Sequence, residues 1–247
     1  MHPDVMEFYN FYQTISGQLV KRLLLETIDR LWQDLQKYTI CGLGYADPYL
    51  DIFYKRNISC LSFQSSFSGI YRPDCGYEYP IIMMADNYLP LADNSQERIL
   101  CTHLLEYTHS APHFLQELSR ILSPQGEALL IVPNRSGLWA RSEKTPFGFG
   151  HPYSKSQLDN LLAPHDLWIG HYECGLFFHP KQYARMRIYV DMIEYLGKNS
   201  FLKHYAGVHI IKIVKRHYIP PKKIMPATNF LKILPPKLSH ATREKIG

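Results

Sequence analysis

No apolar stretch in the 247 residues approaches the ~20 consecutive positions a membrane-spanning helix needs, so an integral membrane protein is not expected. Cysteine is scarce: Cys41, Cys60, Cys75, Cys101 and Cys174 form no C-x-x-C pair, and their number is odd. That pattern excludes a disulfide framework and fits a reducing, cytoplasmic setting. The 12 histidines form no H-E-x-x-H and join no Cys/His ligand set, so no metal site is expected. There is no internal repeat, and the N-terminus lacks the basic and apolar regions of a secretory signal. What is present is an ordinary globular composition, 46% hydrophobic and 20% charged, at a length that fills one large domain.

The charge of +5 is unevenly placed. From Lys203 onward there are ten basic residues and one acid, which leaves 17 basic and 21 acidic residues before it. A mildly acidic body therefore carries a basic end. Beyond Tyr218 the lysines alternate with Pro220-Pro221, Pro226 and Pro235-Pro236, which reads as extended chain. Such a tail invites a nucleic-acid or membrane-surface partner. Its few aromatics make no stacking platform, so a solvated segment is the plainer expectation.

Apolar spacing through Leu19, Leu23, Leu24, Ile28, Leu31 and Leu35 predicts a helical segment over 5–38, broken near Gly17. A strand at Thr39-Ile40-Cys41 then enters the turn Gly42-Leu43-Gly44-Tyr45-Ala46, and a helix follows with Asp47 as N-cap and Pro48 at its first position. Further strands are expected at 58–63, 80–84, 98–102, 128–132, 167–172 and 208–214. Between them, helices are expected through Phe114, Leu115, Leu118 and Leu122 up to a Pro124/Gly126 stop, from Ser154 through Leu162, and over 183–196. Alternating strands and helices predict an α/β fold with a mostly parallel sheet and helices on both faces. The organisation is a helical segment at 1–36, one α/β domain at 37–217 and a basic tail at 218–247.

In such sheets a ligand sits beyond the carboxyl ends of the strands, at the switch in strand order. The turn Gly42-x-Gly44-x-Ala46 lets backbone approach a ligand, or simply makes a tight bend. A dinucleotide fingerprint would need glycine where Asp47 stands.

The stretch Leu89-Pro90-Leu91, Asp93-x-Ser95, Glu97 and His103-Leu104-Leu105-Glu106 is more specific. It continues through Phe114-Leu115-x-Glu117-Leu118-x-Arg120-Ile121-Leu122-Ser123-Pro124-x-Gly126 to Leu130-Ile131-Val132-Pro133-Asn134. In order and spacing, residues 39–134 resemble the class I S-adenosylmethionine-dependent methyltransferases. After Asn134, Gly137-Leu138-Trp139-Ala140-Arg141 and Thr145-Pro146-Phe147-Gly148 resemble an uncharacterised bacterial methyltransferase-like sub-group, which shares the Gly-Tyr-Ala-x-Pro-Tyr-Leu start.

The resemblance implies a seven-stranded Rossmann-like sheet and S-adenosyl-L-methionine as cofactor. It places the methionine part of the cofactor at Gly42, Gly44, Tyr45 and Ala46, the adenine at Asp86 or Asn87, and Leu104 beside the sulfonium. The family's ribose-binding acid at the end of strand two is missing, and Gln64 stands nearest to it. Transfer would be a direct in-line displacement from sulfonium to acceptor, helped by orientation and desolvation. His103 is the candidate proton acceptor, with helix capping as its bland alternative. Asn134, Trp139, Arg141, His151 and Tyr153 are the candidate acceptor-site residues, Trp139 and Phe147 having packing as their alternative. Neither the acceptor nor its size, small molecule or macromolecule, follows from the sequence. The missing acid motivates a second reading, a catalytically inactive methyltransferase-like binding or regulatory module. A nicotinamide-dependent oxidoreductase is the third, permitted by the glycine turn and unsupported by Leu89-Pro90.

Overall fold

The computed structural model describes residues 3–72, 78–85, 88–178, 189–198 and 201–215. Seven strands form one sheet: β1 (Ile40–Gly44), β2 (Cys60–Ser65), β3 (Ile81–Met84), β4 (Gln96–Thr102), β5 (Leu122–Pro133), β6 (Leu167–Gly175) and β7 (Val208–Lys215). Their spatial order is β3-β2-β1-β4-β5-β7-β6. β1 pairs in parallel with β2 and β4, β2 with β3 and β4 with β5, whereas β7 lies antiparallel between β5 and β6. The expected mostly parallel α/β sheet is therefore present. The chain moves outward from β1 to β3, then returns to the other side of β1 for β4, which puts the switch point between β1 and β4.

Alternation along the central strands feeds two cores. Ile40, Leu100, Leu129 and Ile131 face a layer containing α1 (Val5–Gln13), α2 (Ile15–Leu31) and α3 (Asp47–Lys55), where Phe8, Tyr12, Leu24, Ile28, Tyr49 and Phe53 are buried. Cys41, Ile99, Cys101 and Leu130 face α4 (Ala111–Ile121) and α5 (Lys155–Leu162), which contribute Phe114, Leu115, Leu118, Leu158 and Leu162. A strand buried on both faces reads as a continuous apolar run, as β4 and β5 do.

Several boundaries differ from the sequence reading. The N-terminal helical segment breaks at Thr14, which caps the end of α1 and the start of α2 with extended backbone, and not at Gly17. Thr14 Oγ1 accepts from Gly17 N at 3.0 Å and donates to Phe11 O at 2.6 Å. Gly17 sits inside α2, where a Cβ would lie 2.0 Å from Phe11 O, so it permits the close approach of α1. α3 is capped by Ala46, with Asp47 as its first helical residue and no side-chain cap. α4 stops at Ile121 and passes straight into β5, so Pro124 and Gly126 lie within a strand. Ser154 caps α5 as expected, in a full capping box with Gln157. Of the helix expected over 183–196, residues 183–188 lie outside the described residues, and α6 (Val190–Lys198) covers the rest. The proline-containing tail also lies outside them.

Candidate active site

The turn after β1 is built by backbone crowding. Gly44 has φ +80, and a Cβ there would sit 2.3 Å from Thr102 O and 2.7 Å from Leu104 Cβ. Only glycine fits both the dihedral and the space. Tyr45 N donates to Thr102 O at 2.9 Å, and Thr102 Oγ1 donates back to Tyr45 O at 2.7 Å. The β1 and β4 ends are thereby pinned together. At Gly42 the constraint comes from α3, because a Cβ would meet Leu50 Cδ1 at 2.6 Å. Both glycines are thus required by the chain itself.

Gln64, the candidate ribose contact, is buried and committed elsewhere. Its Nε2 donates to Asp47 Oδ2 at 3.0 Å and Tyr71 O at 3.2 Å, and its Oε1 accepts from Tyr71 N at 3.0 Å. Asp47, at the start of the neighbouring helix, is the acid bonded to Gln64. It also accepts from Ser62 Oγ at 3.0 Å and from Tyr79 Oη at 3.3 Å. Burial pushes the Asp47 carboxyl up to about 6, against the lowering effect of the Ser62 and Gln64 bonds. Its place directly after the glycine turn was the available signal, hidden by its reading as an N-cap.

His103 follows β4 with positive φ of 51 and lies in the interior. Its Nε2 is 2.9 Å from Tyr12 Oη, which is itself 3.2 Å from Tyr49 Oη. Behind it, His103 Nδ1 lies 3.5 Å from Glu106 Oε1, with the Glu106 side chain fully buried. Among the described residues, neither that nitrogen nor either Glu106 oxygen has a hydrogen-bond partner. Aromatic rings close the space in front: Phe8 stacks on Tyr45 at 5.2 Å and leans on His103 at 5.1 Å, and Phe147 approaches His103 at 4.8 Å. Burial raises the Tyr12 hydroxyl well above the usual phenol range, with Tyr49 adding to the effect, so it stays protonated. Tyr12 and Phe8 were not singled out from sequence, and Glu106 was noted there only as the end of the His103-Leu104-Leu105-Glu106 segment, with no site role. Glu106 could have been found from its i, i+3 relation to His103.

Gly44, Tyr45, Gln64 and His103 come together around one small cavity, with Val5, Phe8, Ser65, Ser68 and Gly69 completing its wall. Leu104 packs against Gly44, and Ala46 starts α3 beside them. Asp86 and Asn87 lie outside the described residues. The acceptor-side candidates separate. Asn134 Nδ2 donates to the carbonyls of His204 at 2.9 Å and Ala206 at 2.8 Å, Trp139 Nε1 to Phe178 O at 2.8 Å, and Tyr153 Oη to Leu105 O at 3.3 Å. These three are buried and serve internal bonds, whereas Arg141 and His151 are exposed.

Residues 41–130 match the family described as methyltransferase domain. Over this stretch the chain carries a methyltransferase domain. S-adenosylmethionine is the cofactor such a domain uses. A search of curated proteins finds no match. The fold of this chain recurs in a solved structure from Thermotoga maritima described as a possible histamine N-methyltransferase, with TM-score 0.58 and 14% identity over 86% of this chain and 96% of that one. A second is a methyltransferase from Archaeoglobus fulgidus, TM-score 0.58 and 13% identity over 85% and 99%. A third is geranyl diphosphate C-methyltransferase from Streptomyces coelicolor, in complex with S-adenosyl-L-homocysteine, TM-score 0.54 and 14% identity over 78% and 75%. Among the described residues, no helix is long and apolar enough to cross a membrane.

The residues around the cavity do not fit the cofactor in the arrangement seen. The space at the glycine turn is about 10 Å³, room for one water, whereas ligand pockets run to ~300–1,000 Å³. Side chains of α1 fill the remainder.

Proposed function

We propose that this methyltransferase domain seats its methyl donor at the crevice over the carboxyl ends of β1 and β4, and transfers the methyl group directly to an acceptor without a covalent protein intermediate. The observation that carries this reading is the strand reversal at β1 and β4, closed by a glycine turn that presents Gly44 and Tyr45. His103 is the residue assigned to the acceptor's proton, because its Nε2 is the ring nitrogen turned toward the space that Tyr12 fills, while Nδ1 faces the Glu106 carboxylate. Asp47 takes the part of the missing strand-two acid by fixing Gln64. Arg141 and His151, exposed on the segments after β5, are the acceptor-side residues left free to meet a substrate. The setting proposed is cytoplasmic, in line with the buried thiols at Cys41, Cys60 and Cys174 among the described residues.

The test is calorimetric titration with S-adenosylhomocysteine, whose binding is expected and whose absence in every form of the chain would remove the reading. One observation favours a second reading, a binding module without turnover: both Gln64 N–H groups are already used, and α1 occupies the crevice. Conversion of S-adenosylmethionine to S-adenosylhomocysteine by the purified chain with a cell extract separates the two.

A further inference from the structure

We propose that α1 is a displaceable plug of the donor crevice, so that the cofactor binds only when Phe8 and Tyr12 leave it. The proposal rests on the donor site assigned above and names how that site is controlled.

Three observations carry it. First, the plug occupies the site directly: Phe8 lies on the Tyr45 ring of the glycine turn, and Tyr12 Oη caps His103 Nε2. Second, the closed arrangement leaves His103 Nδ1 and both Glu106 oxygens buried without a hydrogen bond among the described residues. Buried polar atoms in that state are costly, which marks the pocket floor as polar beyond anything α1 supplies. Third, α1 is a short element held by its side chains. It has nine residues, too few to be stable alone, and its polar ties to the body include Val5 N to Ser68 O at 2.8 Å, the Tyr12–His103 bond and the Tyr12–Tyr49 bond, so that Phe8, Phe11 and Tyr12 carry its attachment. The extended backbone at Thr14 separates it from α2. Its outer side is also uncovered, since a groove of about 380 Å³ runs between Glu7, Asn10 and Thr14 of this segment and Lys144 and Phe149 of the facing loop.

Ligand affinity for a partly closed protein falls in proportion to the open fraction. The experiment compares S-adenosylhomocysteine binding by the full chain, by Tyr12→Phe and by Phe8→Ala/Tyr12→Ala, with hydrogen exchange of the amides over 5–14 read with and without ligand. Tyr12→Phe keeps the ring and the fold but removes the hydroxyl from His103. Expected are at least tenfold tighter binding by the double variant, a smaller gain for Tyr12→Phe, and faster exchange of α1 in the full chain when ligand is added. Should the double variant fail to fold by circular dichroism, the single variant and the exchange measurement decide alone. Equal affinities with α1 protected in the presence of ligand would overturn the plug while leaving the donor site standing. Absence of binding by folded variants that have lost the plug contacts would overturn both.

Discussion

Gly44 shows how a residue that looks like a ligand contact is first a folding requirement. The sequence left it open whether this glycine lets backbone approach a ligand or simply makes a tight bend. In the structure a Cβ collides with Thr102 O at 2.3 Å, before any ligand enters, and φ is +80. Gly44→Val is therefore expected to lower stability by at least about 2–3 kcal/mol, through left-handed strain and the clash together. A melting temperature unchanged from the parent, in the absence of cofactor, would refute this. Gly44 and His103 were legible in the sequence because their motifs are contiguous and ordered along the chain. Tyr12 and Asp47 were not, because their roles arise from contacts 91 and 17 residues away, with His103 and Gln64. Periodicity reports which face of a helix is buried, not what that face touches. Tyr12 read only as part of a helical segment, although its hydroxyl is its important group.

Among the elements, the segment Leu89-Pro90-Leu91-Ala92-Asp93 is held by two side chains of α4, Glu117, which accepts from Leu89 N at 3.0 Å, and above all Arg120. Arg120 donates to Leu91 O at 2.8 Å, Leu89 O at 2.9 Å and Asp93 Oδ1 at 2.7 Å, and to both Glu117 oxygens. A lysine has the charge but not the planar fork, so Arg120→Lys is expected to cost about 1 kcal/mol and to speed hydrogen exchange at Leu91, whose amide sits in this turn. Unaltered exchange there would show that Arg120 is dispensable. The capping box of α5 offers a parallel check. Ser154→Ala should cost about 1 kcal/mol in urea titration, and a loss below a few tenths would mean the box contributes nothing. Element types were readable from apolar spacing because the two-sided core writes itself into every central strand. The break between α1 and α2 was misplaced because glycine is a weak breaker beside a threonine that bonds both helix ends.

For the whole molecule, two buried groups pull the response to acid in opposite directions. The Asp47 carboxyl is raised from 3.8 to about 6 by burial, so its protonated form is favoured in the fold. Its contribution is complete below pH 4 and is lost as pH rises toward 6. The His209 imidazole is lowered from 6.5 to about 4, again by burial, with its Nε2 on Tyr153 O and its Nδ1 on Tyr172 Oη. Its contribution is complete above pH 6.5 and is lost as pH falls toward 4. Each amounts to roughly 3 kcal/mol at ~1.4 kcal/mol per unit, so they offset one another between pH 4 and 6. Asp47→Asn should leave a stability that falls with acid, and His209→Gln one that rises with acid. Urea midpoints at pH 4, 5 and 6 read both slopes, and two variants running parallel to the parent would refute the assignment. The position of β7 carries a last consequence, for synthesis. Residues 208–215 are the last of the described strands to leave the ribosome, yet they lie between β5 and β6 and supply the ladder partner through which β6 joins the sheet. Until they emerge, β5 presents an unpaired apolar edge and β6 has nowhere to dock. The nascent chain thus completes its parallel half first and waits for its final strand, which makes this stretch the interval of greatest exposure to misassociation.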